Sequence, residues 1–419
     1  MQKSTSFWLA LGAVLASTSP LLAQVNPSYE VATWRGFKTA AVSYTLDDNT
    51  SNQLPVALPL FDQYGFKTTL FTVTNWGPNW AGLRTASANG HEVTSHTVTH
   101  PSLGSLTIAQ QVVELQQSQA TIKANVPTAK CETVAYPNCV LGDVPTIQTS
   151  YIAGRICSGQ IMPATPPDFY NLSSIITGTT GSVQVAADFN AKVAAAKAAK
   201  GWCVFLTHGI NADGGYSPTQ STELATHLAY VNTNIADFWV GTFSDVVKYI
   251  KERNAVAVTE ATVTTDLLRL TVSHSLSATV YNVPVTLRRP LPTTWPSAKL
   301  TQGGTTLAST ITTISGVKYI VFDAMPNQGD ITLAKDNALA TTAAAAAPAT
   351  SVWPNPFAGQ GTLELKGAFT YAVYSLEGKL VEAGQGTDAV KFGGSLAAGS
   401  YIVKATRQGQ VSSTTFIKK

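Results

Sequence analysis

The chain has 419 residues, enough for two or three domains, each with its own core. Charged residues make up only 12% and the net charge is +3, with no basic stripe or run, which excludes a nucleic-acid surface of the usual electrostatic kind. After the first two dozen residues no stretch reaches the roughly 18 consecutive apolar residues of a membrane span, so no transmembrane segment is expected.

Met1 to Gln24 reads as a secretory leader. Lys3 gives a thin basic start, FWLALGAVLA the apolar stretch and LLAQ the cleavage region, so residues 1–23 are expected to be a signal peptide. Leu21 is large for the position two before the cut. Together these features predict an exported, soluble protein.

Within a domain expected at 24–255, the chain from about 35 to 255 alternates short apolar runs with amphipathic stretches. TAAVSYTL (39–46), TTLFTV (68–73), HEVTS (91–95), ETVAYP (132–137), YIAGRI (151–156) and WCVFLT (202–207) predict buried strands. LPVALPLFDQYG, LTIAQQVVELQQSQATIKANV, AADFNAKVAAAKAAKG and SDVVKYIKER predict helices, the last with Ser244 as its N-cap. Strands alternating with helices imply a parallel α/β sheet with crossovers, and this length suits closure into a barrel whose chemistry gathers at the carboxyl ends of the strands. Residues 256–335 change to a threonine- and valine-rich β pattern and predict an all-β accessory domain. Residues 336–350 form an alanine-rich linker, and 351–419 a small β unit that opens with WPNPF at 353–357.

The four cysteines, Cys131, Cys139, Cys157 and Cys203, fall in one segment and are even in number. In an exported chain this favours disulfides over a thiolate metal site, with three pairings open. If CETVAYP and YIAGRIC are neighbouring parallel strands, Cys139 and Cys157 sit at carboxyl ends and can meet.

The stretch HEVTSHTVTH (91–100) holds three of the six histidines. His91 and Glu92 look like the start of H-E-x-x-H, but His96 comes five positions later, roughly 140° away on a helix, too far round to share one ion. The residues between are small or β-branched, follow Asn89-Gly90 and lead to Pro101, so they predict a strand. His96 and His100, at the strand's end, are the better pair, although a bare H-x-x-x-H is more often polar loop. Asp47 and Asp48 close the first strand in YTLDD, and His208 closes the last in FLTHG. Five ionisable groups at the carboxyl ends of three strands suit an active site. Adjacent strand residues project to opposite sides, so the two aspartates are expected to differ in role. One carboxylate with His96 and His100 suits zinc or a similar divalent ion; the other can take a proton from water, and His208 can protonate a leaving group. This is the equipment of metal-assisted acyl hydrolysis.

YTLDD, NGHEVTSHTVTHPSL and FLTHG resemble the first, second and fifth motifs of the NodB-type polysaccharide deacetylases, carbohydrate esterase family 4, over residues 35–255. The resemblance implies a distorted (β/α) barrel, Asp47 as base, Asp48, His96 and His100 as ligands of one divalent metal ion, zinc by expectation, and His208 as acid. It also implies an acetylated polysaccharide (chitin-like, xylan or peptidoglycan) as substrate and acetate as product. Two motifs depart from the family. The third normally begins with an Arg that holds the base, but here AYPNC has Ala135 in that place and Asn138 at the position whose backbone amide serves the oxyanion. Arg155 in YIAGRIC is expected either to supply the missing charge or to form a rim salt bridge. The fourth motif, D-x-x-D-W, has no counterpart; Asp168 in PPDFYNL is either its tuning carboxylate or a turn residue after two prolines. These departures also suit a non-catalytic surface carbohydrate-binding protein on a decayed barrel. Tyr136, Tyr170, Tyr216 and Trp239 are unassigned between core and sugar-stacking walls. WPNPF, YSLEGKLVEAG, LAAGSYIVKA and the basic end FIKK resemble the C-terminal sorting domain of type IX secretion, which implies that machinery as partner and a secreted or outer-surface location reached through the periplasm.

Overall fold

The computed structural model describes residues 25–26, 28–337, 351–375, 378–407 and 410–419; the leader expected at 1–23 and most of the expected linker, 338–350, lie outside them. Residues up to Lys335 form one compact unit and Asp336–Lys419 a second.

The first unit is built on eight strands: β1 (Ala40–Asp47), β2 (Thr69–Thr72), β3 (Glu92–Ser95), β4 (Thr133–Ala135), β5 (Ala153–Arg155), β6 (Ile175–Ile176), β7 (Trp202–Thr207) and β8 (Phe238–Val240). They form one sheet in the order β5-β4-β3-β2-β1-β7-β6, with β8 on the first half of β1. Every pairing is parallel. All eight residues of β1 and all six of β7 are buried, which is why these strands read as continuous apolar runs and not as alternations. Closure between β5 and β6 is irregular: Leu172 donates to Gly154 and accepts from Ile156 at 3.1 and 2.8 Å, and the chain then joins β7 through β6. The result is the barrel that the strand pattern implied, in the distorted (β/α) form that the resemblance implied.

Local chemistry explains where the elements start and where expectation differed. The helix Ile108–Asn125 begins in a capping box, Thr107 with Gln110. The helix Phe243–Ala255 is capped by Thr242, whose side chain accepts from Asp245 N, and not by Ser244, which lies inside its first turn. The stretch around Pro55 and Pro59 is a π-turn, Gln53–Ala57, followed by a short helix, Leu58–Asp62, because each proline removes a ladder donor. Helices Trp80–Ala88, Val144–Gln148 and Ser221–Thr233 and strands β6 and β8 had no expectation.

Residues 257–336 form a sandwich of two sheets, ordered Glu30–Val31, Val285–Pro290, Val317–Ala324, Ser309–Ile314 and Ala257–Thr264, Leu267–Ser273, Ile331–Asp336, Ser297–Gln302, Thr305–Leu307. The first described residues thus belong to the sandwich before the chain enters the barrel. Its core holds Leu270, Leu287, Leu300, Ile320, Phe322 and Leu333. Glu252 of the barrel reaches His274 of the sandwich at 3.3 Å, with both side chains buried. The second unit is a five-stranded antiparallel sheet around Phe357, Leu363, Val373, Phe392 and Val403.

His227, on the inner face of Ser221–Thr233, is fully buried between Tyr44 and Asn190. The Asn190 oxygen can only accept, so Nδ1 donates to it and Nε2 accepts from the Tyr44 hydroxyl, both at 2.7 Å. Burial lowers this histidine to about 3. Its folded value lies below its unfolded one, so the unfolded chain binds more protons between about pH 6.5 and 3 and stability falls as pH drops through that window. Denaturant titrations at pH 7 and 5 are predicted to show wild type losing about 2 kcal/mol more than His227→Gln; equal losses would contradict this burial.

Candidate active site

Asp47 is the last residue of β1, fully enclosed, and Asp48 and Asn49 follow with left-handed φ of 74° and 56°. That bend turns Asp48 back into the mouth of the barrel. Adjacent strand side chains would diverge, yet Asp47 Oδ2 and Asp48 Oδ1 lie 3.6 and 3.4 Å from the same His96 Nε2. Their other neighbours differ. Arg155 Nη2 donates to Asp47 Oδ2 in a buried ion pair, while His100 Nε2 lies 3.5 Å from Asp48 Oδ1.

His96 follows β3, and its Nδ1 donates to the Ala135 carbonyl at 2.9 Å, which leaves the Nε2 lone pair facing the aspartates. His100 also has left-handed φ, 63°, and packs edge-on against His96 and beside the exposed Trp76. Glu114 on Ile108–Asn125 pins the loop between the two histidines by accepting from the backbone of Val98 and Thr99 and from the Thr99 hydroxyl. Neither Glu114 nor Trp76 stands out in the sequence: a helical Glu and a loop Trp are common. His208, after β7, sits 4.0 Å from Asp48 Oδ2 with its ring against Tyr216.

Asp48, His96 and His100 offer one ligand atom each, all within 4.8 Å of one another. The donor set suits a divalent cation, and Asp48 Oδ1 is buried with no hydrogen-bond partner although it faces two imidazole nitrogens. Burial and the neighbouring Asp47 charge push Asp48 up to about 7, partly offset by Arg155. Burial also opposes ionisation of Asp47, but Arg155, His96 and His208 outweigh it and hold the carboxyl below its usual value. Burial lowers His96 to about 4, and lowers His100 and His208 too.

Arg155 is nearly inaccessible, donates through Nη1 to Ser174 at 2.8 Å and stacks on Phe71. Ala135 and Arg155 are register partners on β4 and β5, so the guanidinium enters one strand away from the alanine at the same height. Asn138 and Cys139 occupy the rim turn after β4, both left-handed at φ 54° and 60°, and Cys139 is disulfide-bonded to Cys157. Cys131 and Cys203 are buried and free. Asp47, Asp48, His96, His100, Asn138 and His208 line one cleft of about 510 Å³ together with Tyr136, Cys139, Ile176, Leu206 and Tyr216. Asp168 does not line it: exposed on the surface, it accepts from Tyr170 N at 2.7 Å, an Asx-type turn, and among the described residues His208 Nδ1 has no hydrogen-bond partner. Tyr170 joins the core periphery and Trp239 packs on Trp34 and Tyr249.

Residues 35–145 match the family model for polysaccharide deacetylase. By that match, residues 35–145 are similar to the polysaccharide deacetylases. The match includes both aspartates, His96, His100 and Asn138, and ends before Arg155 and His208. Residues 351–419 match the secretion system C-terminal sorting domain, which marks the chain for export to the outer surface or the medium. A gellan lyase of Bacillus sp. is 28% identical over 337 residues; the match covers 75% of this chain and the chain spans 14% of that protein. Among solved structures, a protein of Mycobacterium smegmatis assigned as a polysaccharide deacetylase is similar at 15% identity and TM-score 0.44, covering 53% of this chain and 93% of its own. A family 4 acetyl xylan esterase from Clostridium thermocellum, solved with a cobalt ion, gives 17% identity and TM-score 0.35, covering 49% and 89%. Among the described residues no helix is long and apolar enough to cross a membrane.

Arg155→Ala leaves the buried Asp47 without its cation and is predicted to cost about 3 kcal/mol of stability, with Arg155→Lys losing less. Denaturant midpoints check this, and an unchanged midpoint in Arg155→Ala would contradict the ion pair.

Proposed function

We propose that the barrel is an exported, metal-dependent carbohydrate deacetylase that hydrolyses N- or O-acetyl groups of a glycan (chitin-like, xylan or peptidoglycan) to acetate. The observation that carries the proposal is the division of labour in the aspartate pair: Asp48 faces two imidazole nitrogens, and Asp47 faces a buried guanidinium. Asp48, His96 and His100 would hold one divalent ion, zinc by choice of ligands, and when bound it lowers the pKa of water and polarises the acyl carbonyl. Asp47, kept ionised by Arg155, accepts the proton of the attacking water. The Asn138 backbone N–H, at the cleft rim, donates to the carbonyl oxygen as it gains charge. His208, across the cleft, donates a proton to the departing sugar oxygen or nitrogen, and the acyl group leaves as acetate. Arg155 takes the part that Ala135 cannot, entering from the next strand at the same register. The sorting domain delivers this barrel through type IX secretion, which suits work on environmental glycans.

A second reading, a glycan-binding barrel without catalysis, draws on His208, whose Nδ1 lacks the carboxylate partner that would orient and tune it. Acetate release from acetylated xylan, chitin oligomers and peptidoglycan, with and without chelator, separates the two. The deacetylase reading predicts chelator-sensitive release from at least one of them; glycan binding with no release from any would support the binder. His96→Ala is predicted to lose both metal and activity. Asp47→Asn is predicted to keep the metal and lose about 10²- to 10⁴-fold in turnover, read from kcat beside metal content.

A further inference from the structure

We propose that the Cys139–Cys157 disulfide is a positioning element of the reaction: it holds the rim turn that presents Asn138 to the cleft and ties that turn to the strand end carrying Arg155. This rests on the deacetylase reading above.

The ladder between β4 and β5 is short. It runs Thr133↔Ala153, Val134↔Gly154, Ala135↔Arg155, and ends with Tyr136 N donating to Arg155 O at 3.0 Å. Past that bond the ladder stops, and at the rim Asn138 and Cys139 adopt successive left-handed conformations at φ 54° and 60°. L-residues with a Cβ disfavour this conformation, so two in succession need restraint from outside the turn. Within the turn only backbone bonds Cys139 N to Tyr136 O and Val140 N to Pro137 O, at 3.0 and 3.2 Å, are made. Asn138 Nδ2 adds a bond to Ser102 Oγ at 3.1 Å between exposed groups, where water competes. The disulfide is the covalent restraint, joining the turn to Cys157 with Cα atoms 5.5 Å apart.

Its far end matters as much. Cys157 lies two residues beyond Arg155, and Ile156 between them donates to Leu172 O at 2.8 Å. One bond therefore spans the support of the oxyanion donor and the support of the base. The two cysteines that line or border the cleft are joined, whereas Cys131 and Cys203 stay buried and free, so disulfide formation is confined to the site's rim. An exported chain meets the oxidising conditions in which such a bond persists.

The test compares three forms of the full chain: untreated, reduced with a trialkylphosphine, and the double variant Cys139→Ser, Cys157→Ser. In the reduction the phosphine supplies two electrons and becomes the phosphine oxide, taking its oxygen from water, while the water's two protons complete the two thiols. Each form is loaded with zinc, checked for metal content and melting temperature, and assayed for kcat and KM of acetate release on the best substrate of the untreated protein. The expected result is a kcat lower by about 10-fold in both altered forms, less than the roughly 10²- to 10³-fold that outright removal of an oxyanion donor costs. KM is expected to stay within about twofold and metal content at one ion per chain, with reoxidation restoring kcat in the reduced wild type only. Should the double variant not fold, the reduced wild type below its melting temperature carries the comparison. Unchanged kcat in a folded, metal-loaded, reduced form overturns the proposal, as does a kcat loss that follows metal loss. An untreated protein that releases no acetate from any substrate overturns the deacetylase reading and this inference with it.

Discussion

Two carboxylates on successive residues at the mouth of a buried strand are the constraint on which this site depends. Charge taken out of water is costly, and two like charges side by side compound the cost, so each needs its own cation. Asp47 has Arg155, held in turn by Ser174 and the Phe71 ring. Among the described residues Asp48 has none of comparable closeness, and burial together with the Asp47 charge raises it to about 7. What surrounds Asp48 is a pair of imidazole nitrogens, one oriented by the Ala135 carbonyl and the other by a loop that Glu114 pins. The same bend that turns Asp48 out of β1 thus creates both the electrostatic problem and the place that the proposed divalent ion would take.

Much of the barrel was legible in the sequence because its central strands are buried on both faces and stand out as apolar runs between polar helices. β1 and β7 differ from expectation by a residue at most. The helix Ser221–Thr233 escaped notice although Leu224, His227, Leu228 and Val231 follow helical spacing, since a histidine does not register as a core residue until its two hydrogen bonds are visible. β6 and β8 are two and three residues long, too short for any periodicity. The N-cap falls on Thr242 and not on Ser244 because Thr242, two residues earlier, is an equally good cap and its side chain accepts from Asp245 N. The site residues were legible as a set because three strand ends carried them. What could not be read was lateral placement: that Ala135 and Arg155 share a register, and that Asp168 turns away to cap Tyr170.

The rim shows how a barrel tolerates change in its supporting residues. Parallel neighbours at one register project side chains to the same side, so a guanidinium moved from β4 to β5 still reaches the end of β1. Among the described residues no such exchange is visible for His208, the proposed acid, whose Nδ1 lacks a partner there while Tyr216 packs against its ring. Asp47, the proposed base, is thus held by a buried cation, and His208, the proposed acid, by ring packing.

The account stands on the two aspartates having different cations. Crystals of the full chain grown with zinc, with diffraction recorded on both sides of the zinc absorption edge, test this most directly. The anomalous signal is predicted at one position in the cleft, within bonding distance of Asp48, His96 Nε2 and His100 Nε2, with Asp47 still paired to Arg155. An ion bound through Asp47, or an empty cluster at saturating zinc, would contradict the account.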